Sequence, residues 1–189
     1  GTPTAQALMH ASVFFDQRLV AGDRGLFDSL QASIFEQATA QPLFLAVLAR
    51  QAVAYDVPLG LFRRSVVARE GEHRDTLDLK AAGAMPLTDV LRVHALAAGI
   101  REPGCLQRID ALRLAGRLTQ ESAAEISAAF RLVLRLRLEH QARQMSASQP
   151  PDNRINPDRL ERRDRDALRD AFGVIRIAQT ALGNEYAVR

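Results

Sequence analysis

Cysteine is almost absent from this sequence, because Cys105 is the only one among 189 residues. A single thiol excludes an internal disulfide framework and a cysteine-based metal cluster, and we expect a protein of the reducing cytoplasm. Long apolar runs are missing too. The longest, Leu43 to Ala49, is far shorter than the ~20 residues that cross a bilayer. No basic start leads into an apolar core, so we expect neither a signal peptide nor a membrane contact.

Lysine is the second scarcity. The 25 basic side chains are 24 arginines and one lysine, Lys80, and the net charge is only +3. Where arginine has replaced lysine almost everywhere, a retained lysine can mark a place that needs a compact ammonium group. Chance is the alternative explanation for a single residue.

Aromatic residues are few, at 5% of the chain, and arginines alternate with acidic residues in stretches such as 161–166. The chain therefore lacks both a basic stripe and a stacking platform, which argues against nucleic-acid binding.

Helical periodicity dominates the rest of the chain and predicts a mainly α fold, a helical bundle with a short N-terminal strand-like appendage. Helices are expected after the caps Asp23 and Thr119, from the prolines Pro42 and Pro86, and from about Leu160 to Tyr186. A short extended segment is expected at 77–80, and a turn-rich stretch at 146–157. The predicted apolar faces include Leu26, Leu30 and Ile34; Ile126, Phe130 and Val133, widened by Leu134 and Leu138; and Leu168, Phe172, Ile175 and Leu182.

The N-terminal segment 11–20 is rich in valine and phenylalanine and predicts a strand. A lone strand cannot satisfy its own backbone, so we interpret it as the last strand of a sheet whose other strands lie upstream. We accordingly expect residues 1–22 to be the end of another domain and residues 23–189 to be the helical domain. The Phe14–Phe15 pair would leave an apolar surface that favours a homodimer.

Four ordered stretches resemble a known family, the nucleotidyltransferase substrate-binding domain of bacterial proteins that also carry CBS and cyclic-nucleotide-binding modules. The stretches are FFDQRLVAGD at 14–23, DTLDLK at 75–80 followed by Gly83 and PLTD at 86–89, LRLRLEHQ at 134–141, and PDNRI at 151–155. More distantly, the chain is similar to the uridylyltransferases of the PII signalling protein and to the adenylyltransferases of glutamine synthetase. Arg18, Gly22 and Asp23 match an Arg-x-x-x-Gly-Asp segment of these enzymes, and Asp78, Lys80, Gly83 and Asp89 match a second segment less tightly, without its paired glycines.

The resemblance implies that Lys80 faces a nucleotide or its phosphoryl groups, with Asp78 orienting it, and that Arg18 contacts the nucleotide. Each of these roles has a structural alternative. Lys80 could form a surface ion pair with Asp78, and Arg18 could form a structural ion pair with Asp23. The resemblance also implies that the chain's partner is its own upstream nucleotidyltransferase domain.

Nucleotidyl transfer needs metal-bound carboxylates, which in this superfamily form an Asp-x-Asp pair after a Gly-Ser turn. The only Asp-x-Asp here, Asp164 and Asp166, falls in a predicted helix, where the two side chains diverge. No phosphate-binding glycine loop occurs either. We predict no catalysis and no metal site in this chain alone, and we expect Mg²⁺ and a nucleoside triphosphate to serve the intact protein.

A polar stripe on the long helix supplies the remaining candidate site residues, which are Arg137, His140 and Gln141 together with Asn153 of the following turn. Such polar groups need partners, so they form either a network that locks the turn to the helix or a ligand pocket between helices. The pair Arg63–Arg64 could hold a phosphate or be a solvated face. His10, His73, His94 and His140 show no spacing typical of zinc ligands.

Two functions remain in competition. The chain is either a substrate-binding or regulatory domain of a nucleotidyltransferase-like signalling protein, or a non-enzymatic scaffold for dimerisation or signal relay from upstream sensor modules.

Overall fold

The structure, a computed structural model, describes residues 12–58 and 75–188. The chain is mainly α, as predicted, and the described residues contain six α-helices. They are α1 (Arg24–Thr39), α2 (Pro42–Val53), α3 (Met85–Ala97), α4 (Cys105–Leu114), α5 (Gln120–Ser146) and α6 (Arg162–Glu185). None of these helices is long and apolar enough to span a membrane.

The helix starts follow the capping signals of the sequence. The carboxylate of Asp23 accepts a hydrogen bond from Leu26 N at 2.9 Å, and the hydroxyl of Thr119 accepts one from Ser122 N at 3.0 Å. These oxygens satisfy backbone donors that have no partner within the first turn of a helix. Pro42 occupies the first position of α2, where its missing N–H costs nothing. These three predicted starts are therefore confirmed.

The predicted N-terminal strand is wrong for the residues described. Residues 12–16 form a helical turn that ends as a 3-10 turn at Phe14–Asp16. Ser12 and Phe15, three residues apart, are buried, whereas Phe14 between them is 54% exposed, a spacing that fits a helical turn and not a strand. The Phe15 ring packs edge-on to Phe35, with centroids 5.6 Å apart, and lies 6.0 Å from Phe44. The described residues around Phe15 thus pack inside this bundle, while the expected upstream domain stays a prediction.

The helices enclose two apolar clusters, and α3 contributes to both of them. The first joins α3, α4, α5 and α6 through residues such as Leu87, Ile109, Val133 and Phe172. The second joins the N-terminal turn, α1, α2, α3 and the C-terminal part of α6. The predicted inner face of α6 is confirmed, because its four apolar members are all fully buried: Leu168, Phe172, Ile175 and Leu182.

Two predicted apolar faces are buried only in part. Ile126, Phe130 and Val133 of α5 are buried as predicted, but each face also has solvated members. Leu26 and Leu30 of α1 are 75% and 53% exposed, and Leu138 of α5 is 58% exposed. The buried residues of α1 are Phe35 and Ala38, near its C-terminal end. Periodicity correctly indicates a helix in both places, but it does not say which stretch of the helix meets a neighbour.

A short ribbon interrupts the helices. Strand β1 (Leu77–Asp78) pairs antiparallel with β2 (Arg154–Ile155), so that Leu77 lies opposite Ile155 and Asp78 opposite Arg154. The predicted extended segment at 77–80 is thus confirmed for its first two residues, and Lys80 begins a π-helical turn (Lys80–Ala84) that leads into α3.

Gly83 lets that π-helical turn approach α5 closely. A Cβ atom built on Gly83 would lie 2.9 Å from Cγ1 of Val133, closer than real Cβ atoms come to a neighbour. Both residues are buried, and Val133 is fully so. The glycine therefore sets how tightly the β1 end of the ribbon sits on the long helix.

We expect Gly83→Ala to lower the free energy of unfolding by about 1–3 kcal/mol, because an extra methyl group overpacks a filled core. Urea denaturation followed by circular dichroism measures the change. Gly173→Ala is the matched control: its Cβ would meet nothing within 4 Å inside α6, so that variant should be neutral or up to about 1 kcal/mol more stable. In a Val133→Ala background the cost of Gly83→Ala should largely vanish; an undiminished cost there would refute the proposed clash.

Candidate functional site

Six of the seven predicted site residues lie on or next to the ribbon. Asp78 is in β1 and Lys80 follows it, Asn153 precedes β2, and the remaining three lie on α5. Arg18 lies outside this group, two residues after Asp16, whose carboxylate is bound to α3 and α4.

Asn153 connects three parts of the chain at this point. Its Oδ1 atom accepts hydrogen bonds from Arg137 Nε at 2.5 Å and from Gln141 Nε2 at 3.3 Å. Its backbone carbonyl accepts from Leu79 N at 2.9 Å. The predicted network that locks the turn to the long helix is therefore present, and ligand binding by the same residues stays a prediction.

Asp78 and Lys80 have separate surroundings. Asp78 Oδ1 accepts a hydrogen bond from Ala81 N at 2.9 Å and so caps the π-helical turn. Lys80 is exposed, and no ion pair joins it to Asp78 in the described parts of the chain. The ammonium group is thus left available at the surface beside the ribbon.

His140 is held by the turn that precedes β2. Its Nε2 atom lies 2.8 Å from Asp152 Oδ1, which also accepts from Arg154 N at 2.8 Å. Gln144 of the same helix face accepts from Asp152 N at 2.9 Å. Burial raises the pKa of Asp152, but the hydrogen bonds from Arg154 and His140 outweigh it and leave that pKa below its ordinary value of 3.8.

A cleft of about 580 Å³ opens beside this turn, between α5, β2 and the start of α6. Its volume is within the range of roughly 300–1,000 Å³ that is usual for small-molecule sites. His140 is the predicted site residue that lines it. The other lining residues are Thr76, Leu136, Glu139, Arg143, Arg154, Ile155, Asn156, Arg159, Leu160, Glu161 and Asp164.

Two acidic groups at one end of the cleft share one arginine. Arg135 Nη2 lies 2.6 Å from Asp164 Oδ1, and Arg135 Nη1 lies 3.1 Å from Glu139 Oε1. The Arg135 guanidinium, through its hydrogen bond first and its charge second, holds the pKa of Asp164 below the ordinary value. This ion pair ties the first turn of α6 to α5 across the cleft.

The Asp-x-Asp pair has the geometry expected of a helix. Asp164 faces Arg135, whereas Asp166 lies 3.2 Å from Arg169 and 3.8 Å from Arg162. The two carboxylates thus have different partners and do not converge on one ion. Among residues 12–58 and 75–188, no group of three or more histidine, cysteine or acidic residues is placed to hold a metal ion.

The structure describes some of the remaining candidate residues, of which Asp23 and His94 have structural partners. Asp23 caps α1, and no ion pair joins it to Arg18 in the described ranges. His94 Nδ1 lies 3.3 Å from Glu185 Oε2, so this histidine has a structural partner at the end of α6. His10, His73 and Arg63–Arg64 lie outside the described residues.

Sequence reasoning missed a buried ionic cluster near the middle of α3. Arg92 and Arg108 are only 7% and 1% exposed. Asp16 joins them: Oδ2 lies 2.6 Å from Arg92 Nη2, and Oδ1 lies 2.5 Å from Arg108 Nη2. Arg92 also pairs with Asp89, whose Oδ2 accepts a hydrogen bond from Tyr55 at 2.7 Å.

Two features of the sequence pointed to this cluster. Asp16 and Asp89 both stand in stretches that carry the family resemblance, and Arg92 follows Asp89 by three residues, the spacing of neighbours on one helix face. Arg108 precedes Ile109, which is fully buried, on a short apolar helix. Burial raises the pKa of Asp16, but the hydrogen bonds and charges of Arg92 and Arg108 outweigh it and hold that pKa below 3.8.

The chain belongs to the family described as "putative nucleotidyltransferase substrate binding domain", whose model matches residues 42–186, well over half of the sequence. The family suspected from the four stretches is thus confirmed, while the CBS and cyclic-nucleotide context is not part of that match. No curated protein and no solved structure matches the chain. The match begins after Asp16 and Arg18, so the expected domain boundary at residue 22 stays a prediction, although Phe15 and Asp16 pack into the same bundle.

We expect Asp16→Asn to lower the free energy of unfolding at pH 7 by about 3 kcal/mol, because it leaves two buried arginines short of a counter-charge. This is the lower end for broken buried pairs, since the Asp16 side chain remains 31% exposed. Asp28→Asn is the matched control, because it removes a pair whose side chains are 82% and 57% exposed and should cost under about 0.5 kcal/mol.

The effect of Asp16 should depend on pH in a defined direction. Its pKa is lowered in the folded state, so its contribution is complete above the unfolded value of about 3.9 and is lost as the pH falls through the folded value. Urea denaturation at pH 7, 5 and 3 should show the gap between wild type and Asp16→Asn closing toward pH 3. A gap that stays constant with pH would show that the carboxylate charge is not responsible.

Proposed function

We propose that this chain is the substrate-binding and regulatory helical domain of a cytoplasmic, nucleotidyltransferase-like signalling protein, similar to the uridylyltransferases of the PII protein. The observation that carries the proposal is the 580 Å³ cleft beside the ribbon, in a chain of this family, which is lined by His140 and flanked by the turn that Asn153 holds. A folded helical frame with an open polar cleft is suited to holding a substrate, since ligand sites are concave and preformed.

In this proposal the chain's partner, an upstream nucleotidyltransferase domain, supplies the reactive carboxylates. The described residues do not fit Mg²⁺, because Asp164 and Asp166 are each bound to different arginines. The role of the helical domain is to bind and orient: Lys80 offers a point charge for phosphate at the edge of the ribbon, and Asn153 holds the turn that forms one wall of the cleft.

A scaffold for dimerisation or signal relay, coupled to upstream CBS or cyclic-nucleotide sensor modules, is the second candidate. The observation in its favour is the exposed apolar surface of the N-terminal region, where Phe14, Leu26 and Leu30 are each more than half exposed. Phe15 is buried within the same chain, so a homodimer of the kind first considered would use Phe14 without it.

Nucleotide transfer by the intact protein separates the two candidates. We expect label from one of ATP, UTP, CTP or GTP, incubated with Mg²⁺, to appear on an acceptor. Lys80→Ala should reduce the transfer at least tenfold with unchanged helical content, whereas Arg131→Ala, exposed on α5 and outside the cleft lining, should leave it unchanged. If no triphosphate is consumed and a dimer is present by light scattering, the scaffold function is supported instead; if Lys80→Ala transfers normally, Lys80 is not part of the site.

A further inference from the structure

Three arginines line the cleft without an acidic partner. They come from three different parts of its wall: Arg143 from α5, Arg154 from β2, and Arg159 from the 3-10 turn Pro157–Arg159. No carboxylate of the described residues lies within ion-pair distance of any of them. Two arginines nearby are instead fully engaged, since Arg135 binds Asp164 and Glu139, and Arg137 binds Asn153.

The charge balance in the cleft therefore favours an anion. Among the described residues the lining carries three carboxylates, on Glu139, Glu161 and Asp164, against the three arginines. Arg135 pairs with two of these carboxylates and leaves one excess positive charge at the cleft. Like charges that line one concave wall repel each other, and a bound anion removes that cost. Arginine is the residue that recognises phosphate with paired, planar hydrogen bonds.

The start of α6 adds donors of the same kind. Leu160 and Glu161 line the cleft, and α6 begins at Arg162. Glu161 stands at the cap position but its side chain makes no capping hydrogen bond to the helix. Backbone N–H groups at a helix start carry partial positive charge and bind phosphate well. This arrangement supports the arginines, which are the primary observation.

The lining residues also indicate which part of a ligand the cleft does not recognise. Among the residues that the structure describes, it contains no phenylalanine, tyrosine or tryptophan on which a nucleobase could stack. Its apolar side chains are aliphatic: Leu136, Ile155 and Leu160. Affinity should therefore come from the anionic part of a ligand, with little contribution from a base.

We propose that this cleft binds a small molecule through its phosphoryl groups, with Arg143, Arg154 and Arg159 donating hydrogen bonds to the phosphoryl oxygens. The proposal rests on the proposed function and deepens it, because it names the chemical class of substrate that the helical domain holds. The size of the cleft and the mixed polarity of its wall fit a phosphate ester or a short polyphosphate.

Isothermal titration of the 189-residue chain with inorganic tripolyphosphate tests the proposal directly, with ATP as a second ligand and sulfate at equal ionic strength as the reference. We expect tripolyphosphate to bind, ATP to bind within about threefold of it, and sulfate to bind at least tenfold more weakly than either. Arg154→Gln and Arg143→Gln should each weaken tripolyphosphate binding at least tenfold, consistent with the loss of one charge-assisted hydrogen bond.

Arg131→Gln is the matched control, because Arg131 is exposed on the same helix as Arg143 and does not line the cleft. It should bind tripolyphosphate like the wild type, and all variants should keep the wild-type melting temperature without ligand. Equal binding of sulfate, unchanged affinity in both cleft variants, or tighter binding of a polyglutamate peptide than of tripolyphosphate would overturn the proposal.

The two proposals fail in distinguishable ways. Nucleotide transfer that depends on Lys80, in a protein whose cleft does not bind tripolyphosphate, would contradict the cleft assignment alone. Cleft binding that depends on Arg154, without any transfer by the intact protein, would contradict the proposed function and leave the phosphoryl site standing.

Discussion

The side chain and carbonyl of Asn153 form the junction on which the candidate site depends. Two helix residues donate to its amide oxygen, and the residue after β1 donates to its carbonyl. A ribbon of two residues per strand is too short to be stable by itself. The ribbon, the turn before β2 and the long helix therefore keep their arrangement through Asn153, through the contacts of Asp152 with His140 and Gln144, and through burial of Leu77 and Ile155.

The helices could be read from the sequence because caps, prolines and apolar spacing are local signals, and Asp23, Pro42 and Thr119 each begin a helix as expected. The segment around Phe15 could not, because a run of valine and phenylalanine suits a strand or a buried turn equally well until its neighbours are known. Here the contact of Phe15 with Phe35 on α1 favours the buried helical turn.

The candidate site shows the same division. Six of the seven residues chosen from the resemblance and from polar spacing lie on or next to the ribbon. The network between Arg137, Gln141 and Asn153 was expected because buried polar groups need partners. The cleft itself could not be foreseen. Its wall includes Arg159 and Glu161, whose positions follow from how the chain enters α6 and not from any motif.

The chain between β2 and α6 is fastened at two points. Asn153 holds one end to α5, and the ion pair of Asp164 with Arg135 holds the other end to the same helix. The residues between these two attachments line one side of the cleft. The position of this segment over the cleft therefore depends on polar contacts to one helix and on the buried side chain of Ile155. Because the polar contacts lie outside the apolar core, we expect a substitution at Asp164 to alter the shape of the cleft more than the packing of the bundle.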